Sequence, residues 1–147
     1  MTLKERIQED MKAAMRAGER ERLGTIRLVL AAVKQREVDE RITLDDAQVL
    51  AVLEKMVKQR RESIAQFQAG ARADLVAKEN AELGVIQAYM PVPLDDTALD
   101  ALISEALAQT GATAIKDMGK VMGIVKAKAA GRADMAAVGA RVKARLS

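Results

Sequence analysis

Cysteine and histidine are absent from the 147-residue sequence. Their absence removes disulfides, thiol nucleophiles, imidazole bases and every metal site built on Cys or His. Tryptophan is missing too, and Phe67 and Tyr89 are the only aromatics, so stacking of bases on the protein is excluded as a main binding mode. Proline occurs only at positions 91 and 93. No apolar run approaches the ~20 residues that cross a bilayer, and no signal peptide opens the chain, which predicts a cytoplasmic protein without a membrane partner. Period-two alternation of strand formers is also missing.

What is present is helical material. Half the residues are hydrophobic, chiefly Ala, Leu, Val, Ile and Met, and 31% are charged. Such a chain makes one domain or two small ones, with a core thinned by alanine, which buries little area. Thr2 and Glu5 form a capping box ahead of the stripe Leu3, Ile7, Met11 and Met15, and Gly18 breaks that helix. A second helix runs from about Glu19 to Val38, with Leu23, Ile26, Leu30 and Val33 inward and Leu28 and Val29 widening the stripe. Thr43 and Asp46 are the expected caps of a third helix, which buries Val49, Val52, Leu53, Met56, Ile64 and Phe67 and ends at Gly70. A fourth, from about Ala73 to Tyr89, carries Leu75, Leu83 and Ile86.

Pro91 and Pro93 then interrupt the helical pattern, because proline forces the residue before it extended. Residues 1–90 are therefore expected to form an N-terminal four-helix bundle, and residues 91–147 a C-terminal three-helix unit, in an all-α protein. In the second unit Asp95 or Asp96 caps a helix with Leu99, Leu102, Ile103 and Leu107 on its apolar side, ending at Gly111. The next helix runs from Asp117 to Ala130 and is stopped by Gly131. Asp134 caps the last, whose inner face is Met135, Val138, Val142 and Leu146.

Charge is uneven. The total is +3, but residues 111–147 carry eight Lys and Arg against two Asp, and residues 71–110 carry two against seven acidic groups. A basic segment of this kind is a cue for an anionic partner, although solvated lysines on helix surfaces give the same count.

Within that segment, Met118, Val121, Met122, Val125 and Ala129 make one apolar face. Gly119 and Gly123 fall on the other, with Lys116, Lys120 and Lys126. Each interior glycine costs roughly 1 kcal/mol relative to alanine, so close approach of another surface is implied. That surface is either a ligand or a neighbouring helix.

Asp117 through Gly123, followed by Gly131, Arg132, Ala133 and Asp134, resemble the C-terminal signature of the GatB/YqeY family. Met135 and Ala136 depart from it, standing where the family pattern has a glycine soon after the aspartate. Leu23 to Leu30 with Arg27, Gln59 to Ser63, then Gly70, Arg72, Asp74, Leu75, Lys78, Glu79 and Glu82, and finally Tyr89, Met90 and Pro91, resemble upstream motifs in the same order. That family comprises free-standing helical proteins and the tail domain of the B subunit of tRNA-dependent amidotransferase, which contacts the folded body of tRNA.

The resemblance implies a non-catalytic tRNA-binding module acting in translation, accessory to an amidotransferase or an aminoacyl-tRNA synthetase, with no cofactor. Lys116, Gly119, Lys120, Gly123, Lys126, Arg132, Arg60 and Arg61 are the candidate RNA contacts, and the basic tail residues Arg141, Lys143 and Arg145 would extend the footprint. Two other functions stand beside it: a protein-interaction adaptor without RNA affinity, and a carbon–nitrogen ligase using glutamine as amide donor. The last finds no support in the residues. Ser63, Ser104 and Ser147 have no histidine to activate them. Glu79 and Glu82 read as a helix-surface ion pair with Lys78, and the Gly119–Gly123 spacing is not that of a phosphate loop.

Overall fold

The structure is a computed structural model that describes residues 1–129 and 132–147. Those residues form seven α-helices and no strand: α1 Leu3–Ala17, α2 Arg20–Glu40, α3 Asp46–Ala69, α4 Ala73–Gln87, α5 Asp96–Thr110, α6 Met118–Ala129 and α7 Met135–Leu146, with a single 3₁₀ turn at Ile115–Asp117. The chain divides into two compact units, Met1–Met90 and Pro91–Ser147.

In the first unit α1 packs on α2 and α3 on α4, while α2 also meets α3 and α4. The helix starts are set by capping. Thr2 and Glu5 form their box, and Gly18 adopts φ 70° to close α1. At α3 the expected caps give way to a neighbour: Asp45, not Thr43 or Asp46, accepts from the Gln48 N–H in a reciprocal box with the Gln48 side chain. Asp46 is spent elsewhere, its Oδ1 accepting the Leu3 N–H at 2.9 Å and so joining the start of α1 to that of α3. At the end of α3 the left-handed residue is Ala71 (φ 56°), whereas Gly70 sits at φ −87°. The strain of a Cβ in that region thus falls on alanine, one position after the glycine.

The core holds Ile7, Ile26, Val29, Val33, Val49, Leu53 and Ile86, with Ile64 and Phe67 only half-buried. Leu28 does not widen the buried stripe of α2, since it stands 47% exposed. Its position explains this: two residues on from buried Ile26, it is turned about 200° around the helix.

Two polar groups tie the first unit together. Tyr89 is buried, its hydroxyl donates to Asp10 Oδ2 at 2.6 Å, and the Arg6 guanidinium lies 5.0 Å above its ring. Burial first, then the Asp10 contact, pushes the phenol up to about 12. Glu37, on the buried face of α2, accepts from Lys4 Nζ with both oxygens at 2.9 Å and from the Leu44 N–H at 2.9 Å. The Lys4 hydrogen bond first, then the Leu44 amide, holds its carboxyl below the ordinary value. A depressed folded pKa means stability that is complete above the unfolded pKa and is lost as pH falls through the folded one. Glu37→Gln is accordingly expected to lower the melting temperature at neutral pH and to flatten the loss below roughly pH 4. Melting curves of the two proteins that run parallel through the acid range would contradict that coupling.

The second unit is built on Leu99, Ile103, Ala106, Val121, Val125, Ala129, Val138, Val142 and Leu146, with α6 packed between α5 and α7. Asp95 caps α5 through the Ala98 N–H, Gly111 closes it at φ 64°, and Asp134 caps α7. The expected ends at Ala130 and Gly131 lie outside the described residues.

Candidate nucleic-acid interface

The basic residues of the second unit divide by their partners. Asp96, Asp100 and Glu105 on α5 take up part of the charge. Arg141 pairs with Asp100 at 3.0 Å and with Asp96, Lys128 pairs with Glu105 at 2.7 Å, and Arg145 donates to Ser104 Oγ at 3.1 Å. Arg132 is half-buried, its Nε donates to the Val92 carbonyl at 3.0 Å, and its own carbonyl accepts the Leu94 N–H at 2.8 Å. It pins the entry segment of the unit.

Lys116, Lys120 and Lys126 are exposed and make no ion pair among the described residues. Lys116 lies in the 3₁₀ turn and the other two on α6, where Val121, Val125 and Ala129 are buried against the core. At 100° per residue, Lys126, Gly119, Gly123 and Lys120 share an outward arc of about 120°, with roughly 9 Å of rise between Lys120 and Lys126. Both glycines are exposed, and a Cβ at either would meet no atom within 4 Å. Helix packing therefore does not account for them. Gly139, the single glycine of α7, does face a neighbour, with Met118 Cε at 3.7 Å from a Cβ there.

Arg60 and Arg61 separate. Arg61 is exposed on α3. Arg60 is turned to α4, its Nε 2.9 Å from Glu82 Oε2 and 3.4 Å from Glu79 Oε2, in a cluster whose side chains are under a fifth exposed. Among the described residues, Arg60 Nε and Glu79 Oε2 have no well-aligned hydrogen bond, so the group is held by charge and proximity. Glu79 and Glu82 thus neutralise Arg60 rather than Lys78. Arg72 pairs locally with Asp74 at 3.1 Å, both exposed. No cluster of three or more acidic side chains able to hold a metal ion exists among the described residues.

On α6 this leaves an open-backbone face with Lys120 and Lys126 unpaired and Lys116 in the turn ahead of it, while Lys143 on α7 is likewise exposed and in no ion pair among the described residues. Residues 4–146 match a protein family described as Yqey-like protein. The chain belongs to this family. Among its relatives, a protein of Eremothecium gossypii is 44% identical over 85 residues, covering 57% of this chain and 46% of that protein. One of Pyrenophora tritici-repentis is 32% identical over 129 residues, 84% and 71% of the two chains. One of Vanderwaltozyma polyspora is 29% identical over 119 residues, 76% and 64%. The chain thus spans about half the length of the first and under two thirds of the third.

All three relatives are named Altered inheritance of mitochondria protein 41, mitochondrial. The expectation of a cytoplasmic location is overturned by these names, which point to mitochondria. Composition and hydropathy of a folded Yqey-like domain do not encode its compartment, because addresses are read from separate segments. No helix among the described residues is long and apolar enough to cross a membrane.

Proposed function

We propose that this Yqey-like chain is a non-catalytic tRNA-binding module, acting in trans on an amidotransferase or an aminoacyl-tRNA synthetase. One observation carries the reading: Gly119 and Gly123 are solvent-facing helix glycines on which no other element packs among the described residues, set among Lys116, Lys120 and Lys126, which make no ion pair among those residues. A ridge of folded RNA backbone approaches such a face closely, while the lysines contact phosphates. The resemblance to the amidotransferase tail domain supports the same partner. Arg132 contributes by holding residues 92–94, Arg61 is a separate exposed cation, and Arg60 acts within its ion cluster.

Fluorescence anisotropy with bulk tRNA across a salt series tests this. Binding in the micromolar range or tighter is expected, with log affinity falling against log salt at a slope of roughly −2 to −3 for three phosphate contacts. Lys120→Glu with Lys126→Glu is expected to abolish it while leaving the helical circular dichroism unchanged. Full binding by the folded double variant, or none by the parent at low salt, refutes the assignment.

A further inference from the structure

α2 presents an exposed outer face, turned away from Ile26, Val29 and Val33 and flanked by a row of cations. Arg20, Arg27, Lys34 and Arg41 recur every seven residues, all exposed and none in an ion pair among the described residues. Arg20, Arg27 and Lys34 form a line of cations with about 10.5 Å of rise between neighbours, and Arg41 is the left-handed residue that ends the helix. Beside them runs a second row, Gly24, Leu28, Ala31, Gln35 and Val38, at alternating spacings of four and three. Leu28 is 47% exposed and Val38 59%, with Ile42 at 40% just past the helix end, and a Cβ at Gly24 would meet nothing within 4 Å. Spacing of four and three is that of a coiled-coil seam, and the cations occupy its flanking position.

We propose that this face seats an amphipathic helix of a protein partner that carries Asp or Glu along one flank of its own apolar seam. Charge complementarity selects that occupant. A second copy of this chain does not fit: antiparallel pairing sets one cation row against the other. Parallel pairing requires the opposite flank, where Thr25 is buried and Ala32 half-buried in the chain's own bundle, and only Asp39, already bonded to Gln35, is exposed. An anionic bilayer fits poorly, because the apolar row contains Gln35, hydrogen-bonded to Asp39 at 2.9 Å, and no aromatic anchor. Folded RNA gains nothing from Leu28 and Val38. Gly24 and Ala31 let the partner's backbone approach, and Gln35 fixes the register.

The test titrates the full chain, by calorimetry at low salt, with two synthetic helical peptides about three heptads long. Both have Leu and Ala on the seam, one Glu and the other Lys on its flanks. The chosen variant is Arg20→Glu with Arg27→Glu, because Lys34 lies beside Glu37 and a carboxylate there would disturb the bundle. The Glu peptide is expected to bind the parent and the Lys peptide not. The variant, its helicity intact, is expected to bind the Glu peptide at least about tenfold more weakly, to accept the Lys peptide, and to bind tRNA as the parent does. That last result keeps this outcome separate from the fate of the α6 assignment. Absence of Glu-peptide binding, equal binding by the variant, or a loss confined to anionic vesicles or to tRNA overturns the proposal.

Discussion

Ile103→Ala is expected to abolish the stable fold of residues 91–147. Ile103 is fully buried, the largest such side chain in a core otherwise made of valine, alanine and two peripheral leucines. Truncating a buried isoleucine costs about 2–5 kcal/mol, the upper part of the range where neighbours cannot collapse into the space. Val121, Val125, Val138 and Val142 are short, branched and stiff, so collapse into the hole falls to partly buried neighbours such as Met118 and Met122. A unit of this size has in total roughly 3–8 kcal/mol to lose. Hydrogen exchange read along the chain should show α5, α6 and α7 losing protection together. Ile103→Val, at about 1 kcal/mol, should keep it. Protection retained by the alanine variant would mean that the core closes around the smaller side chain.

Replacing Gly119 and Gly123 together by alanine is expected to act in opposite directions on stability and on binding. Both have right-handed backbone and open space where a methyl group would stand, Gly123 inside α6 and Gly119 in its first turn, so alanine should stabilise by up to about 1 kcal/mol at each. Two such gains correspond to a rise in melting temperature of several degrees in a small unit. The same two methyl groups would stand on the face that an RNA backbone would approach, so tRNA affinity should drop although no charge is altered. A stabilised double variant that binds tRNA as before would remove the glycines from the interface and leave only the lysines. A destabilised one would mean that the backbone there needs glycine for its own sake.

Much of the helical layout was legible because it is local. The Thr2 box, the breaks at Gly18 and Gly111, and the buried stripe Val121, Val125, Ala129 all follow from spacing within one or two turns. Asp45 with Gln48 is an equally local signal, and the choice of Asp46 passed over it. What Asp46 does instead, holding the Leu3 amide, depends on a neighbour 43 positions away that no pattern within the helix reports.

The candidate interface shows the same division. That Gly119, Gly123, Lys120 and Lys126 share a face follows from helical phase, whereas Lys116 lies in the 3₁₀ turn ahead of the helix. That Arg141, Arg145 and Lys128 are taken up by α5 does not, since counting charge along a sequence ignores which helices pack side by side. Arg60 looked like a twin of Arg61 and is separated from it by the carboxylates of Glu79 and Glu82 on the next helix. The heptad row on α2 was readable from spacing alone, but only the exposure of Leu28 marks that side as outward.

Arg132 gives the second unit a mechanical property. Its side chain grips the Val92 carbonyl and its backbone grips the Leu94 amide, so residues 92–94 are moored to the turn that leads into α7 before α5 begins. Tension applied to the chain at residue 91 is therefore delivered to that mooring first, and α5 is shielded from being peeled off from its N-terminal end. A lost hydrogen bond at Arg132 would make the unit yield at a lower force.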